Sequence, residues 1–418
     1  MKQNLAGQSI AVIGGGLIGL YRSHYLSLRG AEVVIVERKQ LGSGAARGNG
    51  GLLVWTEATP LAAPGVVSHT LRHIFSRSSP FFVKPSALMA NASFLYRFAR
   101  NCTADSFRQG LARMDFLNVR TERLYAELKE HGIATAVSNT GILRVFRSKP
   151  AADDDRDMVK ALVERGLSEQ PGPMLGGSEL HEFEPALGPA AQWAFMQNGE
   201  AFTNPSVLVD QLIASLRSRG IEARENTAAI DVAEDRGGVR ILTAGGEVKA
   251  DKCLVAMGAW SRDLAARLGL RITLVPGKGY SFSVEPAVMP KRAMAFGDAH
   301  AGATPLGGGK LRLAGTMEFD GTYDRFNANR IEAIKTSSAN YLSGVDWTKS
   351  SQEWVAPRPM TPDGAPYIGL VPGRTATFIA AGHNMLGLSL GPATGSVVAE
   401  MMAGEASPDL LQALSPTR

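Results

Sequence analysis

Apolar residues near the start of the chain fall into two short, uninterrupted runs, and these runs predict two buried parallel strands. Residues 10–13 form the first run and residues 33–36 form the second. Continuous runs of this length are typical of strands that are covered on both faces. A glycine-rich turn, Gly14-x-Gly16-x-x-Gly19, follows the first run, and a helix can begin inside it. The pattern therefore predicts a strand–helix–strand unit.

This unit carries the residues that a dinucleotide requires. Gly14 permits a tight turn, Gly16 lets a pyrophosphate approach the backbone, and Gly19 lets the helix pack on the strand. The helix N-terminus offers N–H groups and partial positive charge to the phosphates. Glu37 ends the second run, 18 residues after Gly19, and can accept hydrogen bonds from a ribose diol. Strand, helix and acid in this order favour dinucleotide binding over a chance glycine-rich turn.

Further along the chain, helical and extended patterns follow one another. Apolar residues at helical spacing predict a helix over residues 105–131, and a charged amphipathic helix is predicted over residues 151–166. Asn204 opens another helix, which Gly220 ends. Strands are predicted over residues 140–146, 228–232, 239–243, 252–257, 279–284 and 311–315. The alternating patterns of 279–284 and 311–315 suggest an antiparallel sheet in a second domain.

A chain of 418 residues is long enough for two domains. The strand–loop–helix pattern returns near the C-terminus, so we predict that the nucleotide domain is built from three separated stretches. These are residues 7–58, 196–270 and 350–418. Residues 59–195 and 271–349 are expected to form the substrate-binding domain.

The composition narrows the classes of function. The chain has 44 basic and 39 acidic residues, and no basic run is interleaved with aromatic residues, which makes nucleic acid a poor partner. Cys102 and Cys253 stand outside any Cys-x-x-Cys motif, so no disulfide framework or zinc site is predicted, and a reducing, cytoplasmic compartment fits. His69 and His73 have no third ligand nearby, and we expect no metal.

Two later glycine-rich elements indicate which dinucleotide is bound. Residues 252–261 form a strand that runs into glycine, and residues 382–395 form a third glycine-rich turn, with a helix predicted over residues 394–402. Elements spread over the whole chain suit the long FAD molecule better than NAD. Residues 377–399 carry no formal charge apart from His383, but their glycines, proline and hydroxyls predict strand, loop and helix rather than a membrane span.

One loop is more specific than the glycine fingerprint, namely Ser43-Gly-Ala-Ala-Arg-Gly-Asn-Gly-Gly51. With this loop the chain resembles the FAD-dependent D-amino-acid oxidase superfamily, and within it the D-amino-acid dehydrogenase branch, whose corresponding loop wraps the flavin. The resemblance covers essentially the whole chain. The other similar segments are residues 79–85, 182–187, 276–281, 311–319, 358–364 and 382–395.

The resemblance implies an α/β fold, with an FAD-binding Rossmann-like domain of the glutathione-reductase type and a second α+β substrate domain on a mixed or antiparallel sheet. It also implies non-covalent FAD, because no cysteine lies near His383, where the sarcosine oxidase branch attaches its flavin. The residues expected to bind the cofactor are Gly14, Gly16, Leu17, Ile18, Gly19, Glu37, Arg38, Ser43, Ala45, Asn49, Gly50, Gly51, Ala229, Gly258, Trp260, Arg358, Gly382, Asn384, Leu386, Gly387 and Leu388.

Four residues are candidates for the substrate site, each with a structural alternative. Tyr280 can bind a carboxylate or an amine, or it is an ordinary strand aromatic. Arg358 can meet a carboxylate or the flavin carbonyls, or it is a surface cation. Arg312 faces the site or solvent, and His383 lies beside the flavin or only holds its loop. Many amino-acid oxidases of the superfamily clamp the carboxylate with an arginine where this chain has Ala-Thr-Pro-Leu at 303–306, so the anchor is not identified.

The family reaction, as the resemblance implies it, moves a hydride from the Cα of an amine-bearing acid to flavin N5 and gives an imine or a 2-oxo acid. Three classes remain open. The first is a dehydrogenase of D-amino or cyclic imino acids that passes electrons to a quinone or a carrier. The second is a glycine or sarcosine oxidase that uses O2. The third is a flavin-binding subunit of a hetero-oligomeric dehydrogenase.

Aromatic residues are mixed with the basic residues Arg77, Lys84, Arg97 and Arg100 over residues 76–100, and two interpretations of this segment are open. Apolar anchors with basic neighbours suit peripheral contact with the anionic inner face of the cell membrane. The same aromatic residues can instead build the core of the substrate domain.

Overall fold

A computed structural model describes residues 4–55, 59–65, 79 and 81–418 of the chain. The strands in chain order are β1 (Ser9–Ile13), β2 (Glu32–Val36), β3 (Leu52–Leu53), β4 (Phe81–Val83), β5 (Ile142–Phe146), β6 (Leu175–Gly176), β7 (Trp193–Gln197), β8 (Ala201–Phe202), β9 (Glu222–Arg224), β10 (Ala229–Asp235), β11 (Gly238–Thr243), β12 (Gly246–Ala250), β13 (Lys252–Val255), β14 (Val275–Val284), β15 (Ala293–Phe296), β16 (Ala301–Gly307), β17 (Lys310–Phe319), β18 (Ser351–Met360), β19 (Tyr367–Leu370) and β20 (Thr377–Ala381).

The α-helices of this part of the chain are α1 (Leu17–Leu28), α2 (Leu88–Asn101), α3 (Ala104–Glu130), α4 (Lys149–Glu164), α5 (Gly177–Phe183), α6 (Pro205–Ser218), α7 (Ser261–Arg267), α8 (Ala328–Ser338), α9 (Gly387–Met402) and α10 (Pro408–Leu414). Short 3-10 helices lie at Pro85–Ala87, Gly258–Trp260 and Ala339–Tyr341. The histidine pair His69 and His73 lies outside the described residues.

A six-stranded sheet contains the predicted dinucleotide-binding unit. Its order is β19-β20-β13-β1-β2-β9, and every neighbouring pair is parallel except β19 and β20. Strand β1 lies in the middle, so its residues are covered on both sides: Val12 packs in the cluster that includes α1, α6 and α9, while Ile13 packs in the cluster of β10–β12 and α7. Burial on both faces is the reason for the uninterrupted apolar run.

A nine-stranded mixed sheet forms the second layer of the molecule. Its order is β18-β14-β17-β16-β15-β5-β7-β6, with β4 beside β17. The pairs β15–β5 and β17–β4 are parallel and the others antiparallel. Helix α8 packs on this sheet through Ile331 and Ile334. The predicted fold class, an α/β domain with a second domain on a mixed sheet, is confirmed.

The strands of the two large sheets follow the predicted domain division only in part. All six strands of the smaller sheet come from the three stretches predicted for the nucleotide domain. Strand β7 crosses the boundary at residue 195, and β18, in the third stretch, pairs with β14 of the larger sheet. The third stretch therefore contributes to both sheets, and the exact domain boundaries stay a prediction.

Helix α9 begins at Gly387, seven residues before the predicted start, and contains Pro392. A proline has no N–H, so it leaves the carbonyl four residues earlier without its helical partner. That carbonyl belongs to Leu388, and it accepts a hydrogen bond from the Tyr125 hydroxyl at 2.6 Å. A tertiary contact from α3 thus allows the helix to continue through the proline.

Residues 79 and 81–100 of the segment 76–100 are described, and the core interpretation holds for some of them, while the membrane contact stays a prediction. Phe82, Phe94 and Phe98 are buried in a core cluster with Phe319, whereas Tyr96 is 64% exposed. No helix within the described ranges is long and apolar enough to cross a membrane. Residues 377–399 form β20, a loop and most of α9, as predicted.

Candidate active site

The glycine turn after β1 is as tight as the sequence predicts. Gly14 adopts φ +111° and donates its N–H to the Val36 carbonyl at 2.9 Å. A Cβ on Gly14 would lie 2.5 Å from the Ala256 carbonyl oxygen, and one on Gly19 would lie 1.8 Å from the Gly14 carbonyl oxygen. Helix α1 therefore packs directly on the turn, and both glycines are required by the protein itself.

Gly16 differs from its two neighbours in the motif. It caps the N-terminus of α1 with φ −72°, a conformation open to any residue. No protein atom lies within 4 Å of a Cβ built there, and Gly16 lines a cavity. The space beside Gly16, next to the N–H groups of the first turn of α1, suits an anionic group such as a pyrophosphate.

Glu37 lines the same cavity at the end of β2. One of its carboxylate oxygens accepts the Gly15 N–H at 2.7 Å, and the other accepts the Lys39 N–H at 2.8 Å. Each oxygen can accept a further hydrogen bond. The carboxylate is therefore held in one orientation and can still receive two hydroxyl groups of a ribose.

An aromatic and cationic stack stands close to Glu37. The Arg38 guanidinium lies 3.8 Å from the centre of the Trp260 ring, and Trp260 stacks on Tyr323 at 5.1 Å and 14°. Arg38 and Trp260 both line the cavity. Because Tyr323 follows β17, this stack connects the two sheets at the ribose end of the cavity.

The loop over residues 42–51 forms one wall of the cavity and is fixed by the larger sheet. The Ser281 hydroxyl donates to the Gly48 carbonyl at 2.6 Å, and the Thr304 hydroxyl donates to the Gly50 carbonyl at 2.5 Å. Thr304, which belongs to the segment 303–306 where an anchoring arginine was looked for, thus holds the loop. Trp354 packs so closely that a Cβ on Gly48 would lie 2.0 Å from its ring.

The C-terminal glycine turn places the N-terminus of α9 at the cavity. Asn384 adopts φ +52°, and its side chain bonds Thr361 and the carbonyls of Gly364 and Gly382, so it holds the turn. The Leu386 N–H donates to the His383 carbonyl at 2.8 Å, so it is not free to bind the cofactor. The residues Gly387 and Leu388 start the helix and line the cavity, and their N–H groups have no acceptor within the helix.

His383 lines the cavity and is buried. Its Nε2 lies 3.1 Å from the Thr394 hydroxyl. Burial and the nearby charge of Arg22 lower the pKa of His383 well below its usual value. The imidazole is therefore neutral at physiological pH. It lies beside the cavity and is hydrogen-bonded to Thr394 of α9.

Arg358 is a half-buried cation at the cavity wall. One guanidinium nitrogen donates to the Thr316 carbonyl at 2.7 Å, and the group lies where a Cβ on Gly279 would stand. Among the described residues, no carboxylate lies within the ion-pair distance of 4.0 Å, and burial lowers the pKa of Arg358 to about 10. A guanidinium without a carboxylate partner can bind an anionic group of a ligand in the cavity.

Tyr280 and Arg312 are placed less favourably for substrate. The Tyr280 hydroxyl donates to Glu318, which also contacts Lys278 at 3.0 Å. Tyr280 is among the residues that line the cavity, but because side chains alternate along a strand, its side chain points to the face opposite Gly279 and Arg358. Arg312 does not line the cavity; its guanidinium bonds Ser281 and Gln352 and so connects β14, β17 and β18.

The cavity has a volume of about 360 Å³, within the range of small-molecule sites. The predicted cofactor residues that it brings together are Gly14, Gly16, Leu17, Ile18, Glu37, Arg38, Ser43, Ala45, Asn49, Gly50, Ala229, Gly258, Trp260, Arg358, Asn384, Gly387 and Leu388. Gly19, Gly51, Gly382 and Leu386 lie outside this lining. Gly51 and Gly382 have positive φ, and a Cβ on either would collide with Thr203 or Thr361, so they shape the turns behind it.

Sequence reasoning missed several lining residues. Trp354, Ala314 and Asp324 come from the larger sheet and its loops and carry no motif. The Trp354 indole N–H is buried, and within the described part of the chain it has no hydrogen-bond partner. A buried donor of this kind fits a polar ligand. Only the pairing of β18 with β14 brings it to the cavity.

Three comparisons place the chain among known proteins. The model of the family described as FAD dependent oxidoreductase matches residues 9–401. A D-amino acid dehydrogenase of Xylella fastidiosa (strain M23) is 30% identical over 405 residues, which cover 94% of this chain and 91% of that protein.

Solved structures are similar to this chain over nearly its whole length. The glycine oxidase of Geobacillus kaustophilus superposes with a TM-score of 0.74 at 27% identity, over 98% of this chain and 99% of that one. The L-proline dehydrogenase of P. horikoshii superposes with a TM-score of 0.72 over 99% and 98% of the two chains; at 18% identity, this likeness concerns the fold.

Proposed function

Because this chain belongs to the family of FAD dependent oxidoreductases, we propose that it oxidises D-amino acids or cyclic imino acids and passes the electrons to a quinone or a carrier protein. The observation that carries the proposal is the similarity to a D-amino acid dehydrogenase along nearly the whole of both chains. FAD, when bound, takes up a hydride from the substrate Cα. The amine loses a proton, and the resulting imine hydrolyses to a 2-oxo acid or remains cyclic.

The chain supplies the binding and orientation for this reaction. Glu37 and the first turn of α1 would hold the ribose and pyrophosphate of FAD, and the N–H groups of Gly387 and Leu388 would face the flavin N1–C2 edge. Arg358 would anchor the substrate carboxylate, since it is a half-buried cation at the wall without a carboxylate partner in the described chain. His383 stays neutral and so adds no charge that would repel a cationic substrate.

The hydrogen bond that Tyr280 donates to Glu318 limits the contacts that its hydroxyl can make with a substrate. Its hydroxyl proton is directed at Glu318, so this hydroxyl is not available as a donor to a carboxylate. For this reason we assign the anchoring role to Arg358 and regard Tyr280 as a residue that supports the strand beside it.

A second candidate is an oxidase of glycine or sarcosine that uses O2. It is favoured by the 27% identity and nearly complete coverage of the Geobacillus glycine oxidase. The two candidates differ in the fate of the reduced flavin. To test this, the purified protein is incubated anaerobically with D-amino acids, hydroxyprolines, glycine or sarcosine, and reduction of its flavin is followed. The rate of flavin reoxidation by air, by a redox dye and by a quinone is then measured.

The proposed dehydrogenase predicts reduction by D- or cyclic imino acids, with 4-hydroxy-D-proline among the candidates, and slow reoxidation by air. Reduction by glycine or sarcosine with fast reoxidation by air would establish the oxidase instead. Reduction by L-amino acids alone would refute both. Turnover by the isolated chain would also exclude the alternative that it acts only as a flavin-binding subunit.

We further propose that the exposed side of α2 contacts an anionic membrane surface, where a quinone is available. Met89 is 85% exposed and Tyr96 64% exposed, and Arg97 and Arg100 are exposed on the same helix. Apolar anchors beside basic residues suit peripheral binding. Of the other two basic residues predicted as anchors, Lys84 is half-buried and Arg77 lies outside the described residues.

Sedimentation with anionic liposomes tests this contact. The wild-type protein should bind at low salt and dissociate at high salt, and a Met89→Ser/Tyr96→Ser variant should bind less. Val119→Ser, which changes an apolar residue that is 71% exposed on α3, is the matched control. Equal binding by all three proteins, or no binding at low salt, would refute the contact.

A further inference from the structure

Helix α1 contains an arginine that the known chemistry of the site does not use. Arg22 is fully buried, and one of its guanidinium nitrogens donates to the Ile18 carbonyl one turn earlier. Its Nε and its second guanidinium nitrogen are buried and have no hydrogen-bond partner in the described part of the chain. No carboxylate of the described residues compensates its charge, and burial alone lowers its pKa. Such a group is costly for the folded protein.

The position of Arg22 relates it to the FAD cavity. Ile18, to which it donates, lines the cavity, and so does His383, whose pKa its charge lowers. A long side chain on a helix points back toward the N-terminus, so the guanidinium lies beside the first turn of α1. The N-termini of α1 and α9 meet there, since a Cβ on Gly387 would lie 3.6 Å from the Ile18 side chain.

Two helix N-termini and a buried arginine thus direct positive charge at one end of the cavity. Each N-terminus carries about half a unit of positive charge, and charges interact over longer distances in a protein interior than in water. Arg22 does not itself line the cavity, so its effect would pass through the wall formed by Ile18 and His383.

We propose that the counter-charge of Arg22 is an anionic group of bound FAD, and that Arg22 is a residue that tunes cofactor binding electrostatically. The inference rests on FAD, which the family supplies, and is independent of the substrate and acceptor proposed above. Without the cofactor, the buried charge destabilises the fold. With the cofactor, the same charge strengthens binding. Removing it should therefore change these two properties in opposite directions.

The experiment compares Arg22→Met, which keeps the length of the side chain and removes the charge, with Arg22→Lys, which keeps the charge. The melting temperature of the full chain is measured over a series of free FAD concentrations, because binding stabilises the folded state in proportion to the logarithm of ligand over Kd. Extrapolation to zero FAD gives the stability without cofactor, and the concentration dependence gives Kd. Neither measurement uses a substrate, so failure of the proposed reaction would not affect it.

We expect Arg22→Met to raise the melting temperature extrapolated to zero FAD and to weaken FAD binding about 10- to 100-fold. Arg22→Lys should retain most of the affinity. The matched control is His24→Met on the same helix. His24 is also buried, and neither ring nitrogen has a partner in the described chain, but it interacts with Arg219 and His131 and does not line the cavity. It should raise the melting temperature without changing Kd.

Two further measurements identify the anionic group. If the charge acts on the reduced flavin, the midpoint potential of bound FAD falls in Arg22→Met by about 30 mV for each tenfold loss of reduced over oxidised affinity. If it acts on the diphosphate, ADP binding weakens as much as FAD binding and the potential stays constant.

The proposal is overturned if Arg22→Met lowers the melting temperature at zero FAD or fails to fold, because the arginine would then be a structural residue. It is also overturned if the Kd for FAD is unchanged, because the cofactor would then not be the counter-charge.

Discussion

The carboxylate of Glu37 accepts a hydrogen bond from the Gly15 N–H at 2.7 Å, and this contact joins the end of β2 to the glycine turn. A residue expected to bind only the ribose thus also holds the turn that receives the pyrophosphate. The second oxygen of the same carboxylate accepts the Lys39 N–H, which fixes its orientation further. Loss of this side chain should affect both the cofactor and its loop.

Glu37→Ala should weaken FAD binding by about 1.5–3 kcal/mol, as expected for charge-assisted hydrogen bonds. Titration of the protein with FAD, followed by flavin fluorescence, measures the loss. Glu32→Ala, at an exposed position of the same strand, is the control and should bind FAD normally. Wild-type affinity in Glu37→Ala would mean that this carboxylate does not meet the ribose.

The glycines of the turn should respond differently to alanine. Gly16→Ala places a methyl group where no protein atom lies within 4 Å, so the fold should persist while FAD binding falls at least tenfold. Gly19→Ala forces a Cβ to 1.8 Å from the Gly14 carbonyl oxygen, so the protein itself should be destabilised. Circular dichroism melts and FAD titrations separate the two effects. Equal stability losses in both variants would contradict the assignment.

Arg358 and Arg312, two arginines of the larger sheet, provide a second contrast. Arg358→Met should raise the KM of the amino-acid substrate roughly 10- to 100-fold, because the carboxylate loses its cationic partner. Arg312→Met should reduce stability by breaking the bonds to Ser281 and Gln352, with KM unchanged. Steady-state kinetics and thermal melts on both variants distinguish the substrate-binding role from the structural role. A KM effect confined to Arg312→Met would reverse the two roles.

Stability should depend on pH through His24. Burial, with smaller contributions from Arg219 and His131, lowers its pKa from 6.5 to about 4. Below pH 6.5 the unfolded chain therefore binds a proton that the folded chain does not, so the free energy of unfolding falls as the pH decreases toward 4. The full effect is about 3 kcal/mol. Denaturant unfolding from pH 7 to 4.5 should show a weaker pH dependence in His24→Leu than in the wild type or in His181→Leu; identical slopes would argue against this origin.

The flavin should be bound without a covalent link. Neither Cys102 nor Cys253 lines the cavity. Acid precipitation of the yellow protein should leave about one FAD per chain in the supernatant. Flavin retained in the pellet would point to a covalent bond, and His383 would then be the residue to examine by mass spectrometry.

The sequence alone determined the local geometry of the glycine turn after β1 and of the helix that follows it. The requirements there are local: a buried strand must be apolar, a tight turn needs Gly14, and a helix that touches the turn needs Gly19. The acid at position 37 follows from the length of one strand–helix–strand unit. Such constraints act over a few tens of residues and are visible in the order of residue types.

The substrate side was decided by the tertiary structure. Tyr280, Arg312 and Arg358 are all candidates in the sequence, but strand pairing directs Tyr280 to Glu318 and Arg312 to Gln352, and leaves Arg358 at the cavity. Whether a side chain reaches a site depends on which face of a strand it occupies and on partners far away in the chain. In the same way, the start of α9 depends on Tyr125, which supplies the hydrogen bond that Pro392 cannot. These partners lie 38 to 263 residues away, too far for any local pattern to reveal.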